Sequence, residues 1–204
     1  MTKKLFNTLS YIFHPVFMPI LGIYLILYSG TYLSILPTES KKAILLITAM
    51  FTILLPLSVL PFLRYYKLIS KYTIPERRER LIPYFLSIIF YAFGFSLFRK
   101  YGIPLYIQQF LLVSLICLII AVVVHLWWKI STHMMGIGGI LGLISSFNYL
   151  FNMDISYALI LTIITAGLIG TARLYLKSHN QAQVYGGFMV GFIISFAFMA
   201  LINL

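Results

Sequence analysis

The chain is poor in acid. Among 204 residues only Glu39, Glu76, Glu79 and Asp154 carry a carboxylate, against 15 Lys and Arg, and charged residues of both signs make up only 9%. A soluble globular domain carries about a quarter charged residues. With 61% hydrophobic residues there is too little polar surface here to keep a monomer dissolved. One cysteine, Cys117, excludes a disulfide framework within the chain and reads as a small buried hydrophobe. No small-residue cleavage site follows the first apolar stretch, so nothing resembles a removed signal peptide. Short segments of alternating polarity, the mark of a membrane-spanning barrel, are missing too. Helices are the other structure that satisfies every backbone group in lipid.

What is present is a series of long apolar runs. A spanning helix needs about 20 mainly apolar residues. The expected spans run from about Tyr11 to Leu36, Ala43 to Tyr65, Leu81 to Phe98, Leu105 to Trp128, Lys129 to Phe151, Ile155 to Ala172, and from just after Gly187 to about Leu204. Seven spans are counted, or six if the first or third is only partly inserted. The expected fold class is an all-α, polytopic transmembrane helical bundle, a single integral membrane domain over residues 1–204. Pro56 and Pro61 predict a kink in the second span.

Three polar segments interrupt these runs: Arg64–Arg80, Lys129–Gly139, which opens the fifth span, and Arg173–Gly187. Two spans separate each from the next, and two precede the first, so all three are expected on the membrane face that holds the N-terminus. The opposite face keeps only Lys41, Lys42, Arg99 and Lys100 of the 15 basic residues, and the positive-inside rule places the richer face in the cytoplasm. Nucleic acid is disfavoured as a partner, because the basic residues lie in short loops rather than on a soluble face. Membrane lipids are the expected surroundings. Guanidinium and ammonium groups match phosphate oxygens, and an imidazole serves as nucleophile or general acid near neutral pH. Cations gathered with two histidines at a membrane surface point to phosphate chemistry on a lipid.

The spacing of these residues resembles the type 2 phosphatidic acid phosphatase superfamily, the lipid phosphate phosphatases related to vanadium haloperoxidases. That family carries Lys-x6-Arg-Pro, then Pro-Ser-Gly-His, then Ser-Arg-x5-His-x3-Asp. This chain has Lys71-x6-Arg78, then Ser131-Thr132-His133, then Ala172-Arg173-x5-His179-x3-Gln183. The resemblance covers roughly residues 71–191, and its third motif is the most specific. It departs at Glu79 after Arg78, at Thr132 in place of Gly and at Gln183 in place of Asp. Arg77 and Arg80 are alternatives to Arg78. Gln at this place also resembles the glucose-6-phosphatase and dolichyl diphosphatase branches. The resemblance implies that His179 attacks phosphorus, Gln183 orients it and His133 protonates the leaving oxygen. Lys71, Arg78, Ser131, Thr132 and Arg173 would hold the phosphate. It implies no metal and no cofactor, and a lipid phosphate or prenyl diphosphate as substrate.

Other residues take plainer readings. Most remaining cations are interfacial anchors. His125 is a helix-packing group and His14 an interfacial one. Gly136, Gly138, Gly139, Gly142, Gly186, Gly187 and Gly191 read as close helix packing rather than a phosphate loop. Two other functions fit the composition: an anionic-lipid binding or scaffold protein that keeps the fold without the chemistry, and, less well, a small transporter, since polar groups at mid-membrane depth are few.

Overall fold

The computed structural model describes residues 2–28, 30–72, 79, 81–152 and 156–201. It is helical, and seven of its helical segments are long and apolar enough to cross a membrane. An integral membrane protein follows from that count. The described residues fall into two compact units, one formed by the N-terminal residues to Gly22 with the chain from Trp127 on, the other by Ile23–Leu126.

The first unit begins with α1 (Thr2–Ile12), ends its first pass in a 3-10 turn (Pro15–Phe17), and enters α2 (Met18–Tyr28). The expected span Tyr11–Leu36 is therefore broken. Pro15 disfavours helical geometry at His14, which is extended at ψ 137°, and the His14 Nδ1 accepts the Val16 N–H at 3.3 Å to cap the turn. α2 stops at Tyr28, and Gly30 takes φ 81° ahead of a second 3-10 turn (Tyr32–Ile35). Hydropathy alone does not register these breaks.

The Ile23–Leu126 unit holds the rest of α2, then α3 (Thr38–Ala49), a wide π-turn (Met50–Leu54), α4 (Leu55–Tyr65), α5 (Leu81–Lys100) and α6 (Leu105–His125). The kink expected at Pro56 takes the form of that π-turn. Pro56 cannot donate to the Thr52 carbonyl and its ring would strike it, so the turn widens just before it. Thr48 and Thr52 donate their hydroxyls to Ile44 O and Thr48 O, each at 2.8 Å, which satisfies them inside the span. Lys41, read as an interfacial anchor, is instead 8% exposed. Its ammonium donates to Ser34 O at 2.7 Å and lies 4.6 Å from the Tyr28 ring centre. His125 behaves as a packing group, donating from Nδ1 to Ala121 O at 2.8 Å with the Tyr84 ring edge-on at 5.7 Å.

The first unit is completed by α7 (Thr132–Phe151), α8 (Ser156–Tyr175) and α9 (Gln181–Leu201). α7 is its hub, with 67% of its apolar window buried against at most 33% in any other span. α7 and α9 touch backbone to backbone. A methyl placed on Gly138 would meet Phe188 O, one on Gly187 would meet Ser131 O, and one on Gly191 would meet Met135 O. Two facing small-xxx-small pairs, Gly138/Gly142 and Gly187/Gly191, make that approach possible in lipid. The glycines thus pack helices, as their spacing suggested.

Gly167, on α8, has nothing within 4 Å of an added methyl. Gly191→Ala is expected to destabilise the detergent-solubilised protein by about 1–3 kcal/mol through overpacking, whereas Gly167→Ala leaves it unchanged or stabilises it by up to about 1 kcal/mol. Thermal melts of the two variants check the contrast.

Candidate functional site

The site sits where α7 begins, α8 ends and α9 begins. α8 closes in a Schellman turn: Ser178 N–H donates to Arg173 O at 3.1 Å and Lys177 N–H to Leu174 O at 2.9 Å, with Lys177 left-handed at φ 51°. A lysine there carries backbone strain that glycine would avoid. The turn reverses the chain and delivers His179 directly ahead of α9.

Asn180 and Gln183 form a capping box at the start of α9. Gln183 N–H donates to Asn180 Oδ1 at 2.9 Å, and Asn180 N–H donates to Gln183 Oε1 at 3.2 Å. The backbone donor assigns Oε1 as the amide oxygen. Its second lone pair accepts the Nδ1–H of His179 at 3.2 Å, which leaves Nε2 as the other ring nitrogen. Gln183 therefore serves as helix cap and as His179 holder in one residue.

Ser131, the residue before α7, is fully buried. Its N–H donates to Gln183 O at 3.2 Å, and its Oγ has no hydrogen-bond partner among the described residues. Thr132 is the first residue of α7 and half-buried, so both sit at a helix start whose first N–H groups lack intrahelical acceptors. One turn of sequence thus joins the second and third motifs through a main-chain hydrogen bond.

His133 is half-buried, and its Nε2 lies 3.1 Å from Ser10 O of α1. A carbonyl only accepts, so Nε2 carries the proton. Arg173 donates from Nη1 to Ser10 Oγ at 3.4 Å, and that hydroxyl donates to Phe6 O at 2.9 Å. Arg173, His14 and His179 all lie within electrostatic reach of His133.

Burial first, then the charges of Arg173 and Lys129, push the His179 imidazole down to about 4 from its ordinary 6.5. Its hydrogen bonds to Gln183 and to the Lys129 backbone act in the opposite direction. The folded protein thus holds His179 neutral at pH 7. The unfolded chain takes up a proton near 6.5 that the folded chain refuses until about 4, so His179 lowers stability as pH falls through that window and has no effect above it. The described residues of this unit include Lys3, Lys4, Lys129, Arg173 and Lys177 and no carboxylate, so they set up a positive field; Asp154, in the same stretch of chain, lies outside the described residues.

His133, His179, Gln183, Ser131, Thr132 and Arg173 are therefore gathered in one unit. Lys71 is exposed and belongs to the other unit, between α4 and α5. Arg78, with its alternatives Arg77 and Arg80, lies outside the described residues. Sequence reasoning placed His14 on the same membrane face with an interfacial role, and missed Ser10, Lys129 and Asn180 as neighbours of the site. Only Asn180 had a readable signal, the capping pattern Asn180-x-x-Gln183. Comparison with models of known protein families, with curated proteins and with solved structures gives no match.

A histidine-resolved NMR titration is expected to put the His179 midpoint near pH 4. Arg173→Met should move that midpoint up towards 6.5, while Gln183→Ala should move it further down; equal directions would contradict the assigned causes.

Proposed function

We propose that this protein is a membrane phosphohydrolase acting on a lipid phosphate or prenyl diphosphate through a phosphohistidine at His179. The observation that carries the reading is the geometry at His179: Nδ1 held by Gln183 Oε1 directly ahead of α9, with Arg173 of the last turn of α8 close enough to act on the ring and keep it unprotonated. A neutral imidazole oriented through Nδ1 by a neutral acceptor suits attack on phosphorus, with the phosphate displacing the ring's contact with the Lys129 backbone.

In the first step the Nε2 lone pair forms a bond to phosphorus, and the bond from phosphorus to the lipid oxygen breaks. His133 gives the departing oxygen its proton, so the lipid leaves as an alcohol or, from a diphosphate, as a monophosphate. In the second step water attacks the phosphohistidine, His133 takes its proton, the P–N bond breaks and phosphate is released. Arg173, the Ser131 hydroxyl and the first N–H groups of α7, at Thr132 and His133, suit the phosphate oxygens, where charge develops in the transition state. The unpartnered Ser131 Oγ in a fully buried position supports a role for it, since a buried hydroxyl without a partner costs about 1–3 kcal/mol.

The second reading, an anionic-lipid binding or scaffold protein, rests on the same positive field and is separated by turnover. Purified protein in detergent with EDTA is expected to release phosphate from phosphatidic acid, phosphatidylglycerol phosphate or a prenyl diphosphate. His179→Ala should reduce the rate at least about a thousandfold and remove the acid-labile phosphoryl label. Release that survives the substitution contradicts the mechanism. Lipid binding without release favours the scaffold.

A further inference from the structure

The catalytic reading draws its residues from α7, α8 and α9, yet the N-terminal segment is built into the same place. Across 123 residues of sequence Ser10 O receives His133 Nε2–H, and across 163 residues Ser10 Oγ receives Arg173 Nη1–H. Four residues on, the His14 ring stands edge-on to His133, with centroids 5.4 Å apart and planes at 80°. His14 is itself oriented, because its Nδ1 accepts the Val16 N–H and so its proton sits on Nε2.

The segment is anchored on both sides. Phe6 packs against Tyr175 of α8 at 4.7 Å. Met18, just after the 3-10 turn, lies so close to Gly136 of α7 that an added methyl would meet its Cγ at 2.6 Å. Residues 6–18 thus form a strap from the end of α8 to the start of α7, the two places that supply Arg173 and His133. Pro15 makes the strap possible: it forces His14 out of helical geometry, so the chain turns instead of continuing α1.

We propose that Ser10 and His14 are positioning residues of this site, the Ser10 carbonyl fixing His133 in its Nε2–H tautomer, the Ser10 hydroxyl holding Arg173, and the His14 ring pinning His133 from its side. The consequence concerns one atom. With Nε2–H tied to a main-chain carbonyl, Nδ1 of His133 is the nitrogen that takes up a proton from a protonated phosphate oxygen of the substrate and then passes it to the leaving oxygen. Ser10 O does for His133 what Gln183 Oε1 does for His179: a neutral oxygen holds one N–H and so fixes which nitrogen carries the proton. The catalytic consequence rests on the phosphohydrolase reading, whereas the tautomer does not.

The test uses full-length protein with 15N-labelled histidine. His14→Asn keeps an oxygen able to cap the Val16 N–H and removes the ring, and Ser10→Ala removes only the hydroxyl. In wild-type protein the His133 ring nitrogens are expected to show a single Nε2–H tautomer at pH 7. In the Ser10→Ala/His14→Asn double variant, which keeps the residue-10 carbonyl and an unchanged helical spectrum, the Nε2–H tautomer should persist while the His133 ring signals shift and broaden, because the ring is no longer held from its side. On a lipid phosphate, His14→Asn should lower kcat by roughly 10- to 100-fold with KM little changed and shift the pH profile; a His14→Ala variant that folds should behave the same way. A wild-type His133 with its proton on Nδ1, or a double variant with wild-type His133 signals, overturns the proposal. If the wild-type protein hydrolyses no lipid phosphate, the phosphohydrolase reading fails and the tautomer measurement still decides the strap.

Discussion

The backbone contact between α7 and α9 sets the rest of the site. In lipid there is little hydrophobic gain in joining two apolar helices, so close association depends on van der Waals packing and on small residues. Here glycines remove the side chains between the helices over two turns, and carbonyls of each helix occupy the space a methyl would need. The contact ends at Gly187 against Ser131, which is also where Ser131 N–H reaches Gln183 O. Helix packing and site geometry are therefore one constraint. A shift of α9 along α7 would move His179 and Gln183 relative to Ser131 and His133 at once, and rigid elements of this kind suit a site that must hold several groups in register.

Around that constraint the electrostatics are one-sided. Of the described carboxylates, Glu39 pairs with Lys42 at 2.9 Å and Glu79 accepts from Ser70 N–H and Oγ, and both belong to the Ile23–Leu126 unit. The unit with the histidines meets its N–H donors with neutral oxygens: Ser10 O, Ser10 Oγ, Gln183 O and Gln183 Oε1. Neutral acceptors orient donors without cancelling the positive field. That arrangement favours an anion brought from outside and disfavours protonation of His179 in its absence.

The spans were legible because length and apolarity are local properties: seven runs were counted and seven helical segments are long and apolar enough. Their ends were less so. The break at His14–Pro15 depends on one pre-proline residue inside an apolar run, and α9 starts at Gln181, well before the apolar stretch, because a capping box carries the helix into polar sequence. Lys177 in the left-handed turn of α8 was invisible, since glycine normally marks that position. In the site, Ser131, Thr132, His133, Arg173, His179 and Gln183 fall in one unit, whereas Lys71 belongs to the other and Arg78 lies outside the described residues. The N-terminal contribution escaped notice because Ser10 is an ordinary helix residue whose part lies in a carbonyl and a hydroxyl meeting partners more than a hundred residues away. Lys41 shows the same limit in reverse: a lysine beside Lys42 reads as a headgroup anchor, and only the fold reveals a carbonyl and an aromatic ring around it.

Gln183 at the place where the resembling family has Asp then acquires a physical sense. A carboxylate beside His179 would stabilise the imidazolium and raise its protonated fraction at neutral pH. The Gln183 oxygen divides its two lone pairs between Asn180 N–H and His179 Nδ1–H, so it fixes the ring and the helix start together while adding no charge. Burial and Arg173 then keep His179 unprotonated. On the proposed mechanism the positive charge of the phosphohistidine is met by the phosphoryl oxygens it carries, and those oxygens face Arg173 and the start of α7. A carboxylate is dispensable to the resting nucleophile under these conditions. What the site cannot lose is the register between His179, Gln183 and Ser131, which the glycine contact imposes.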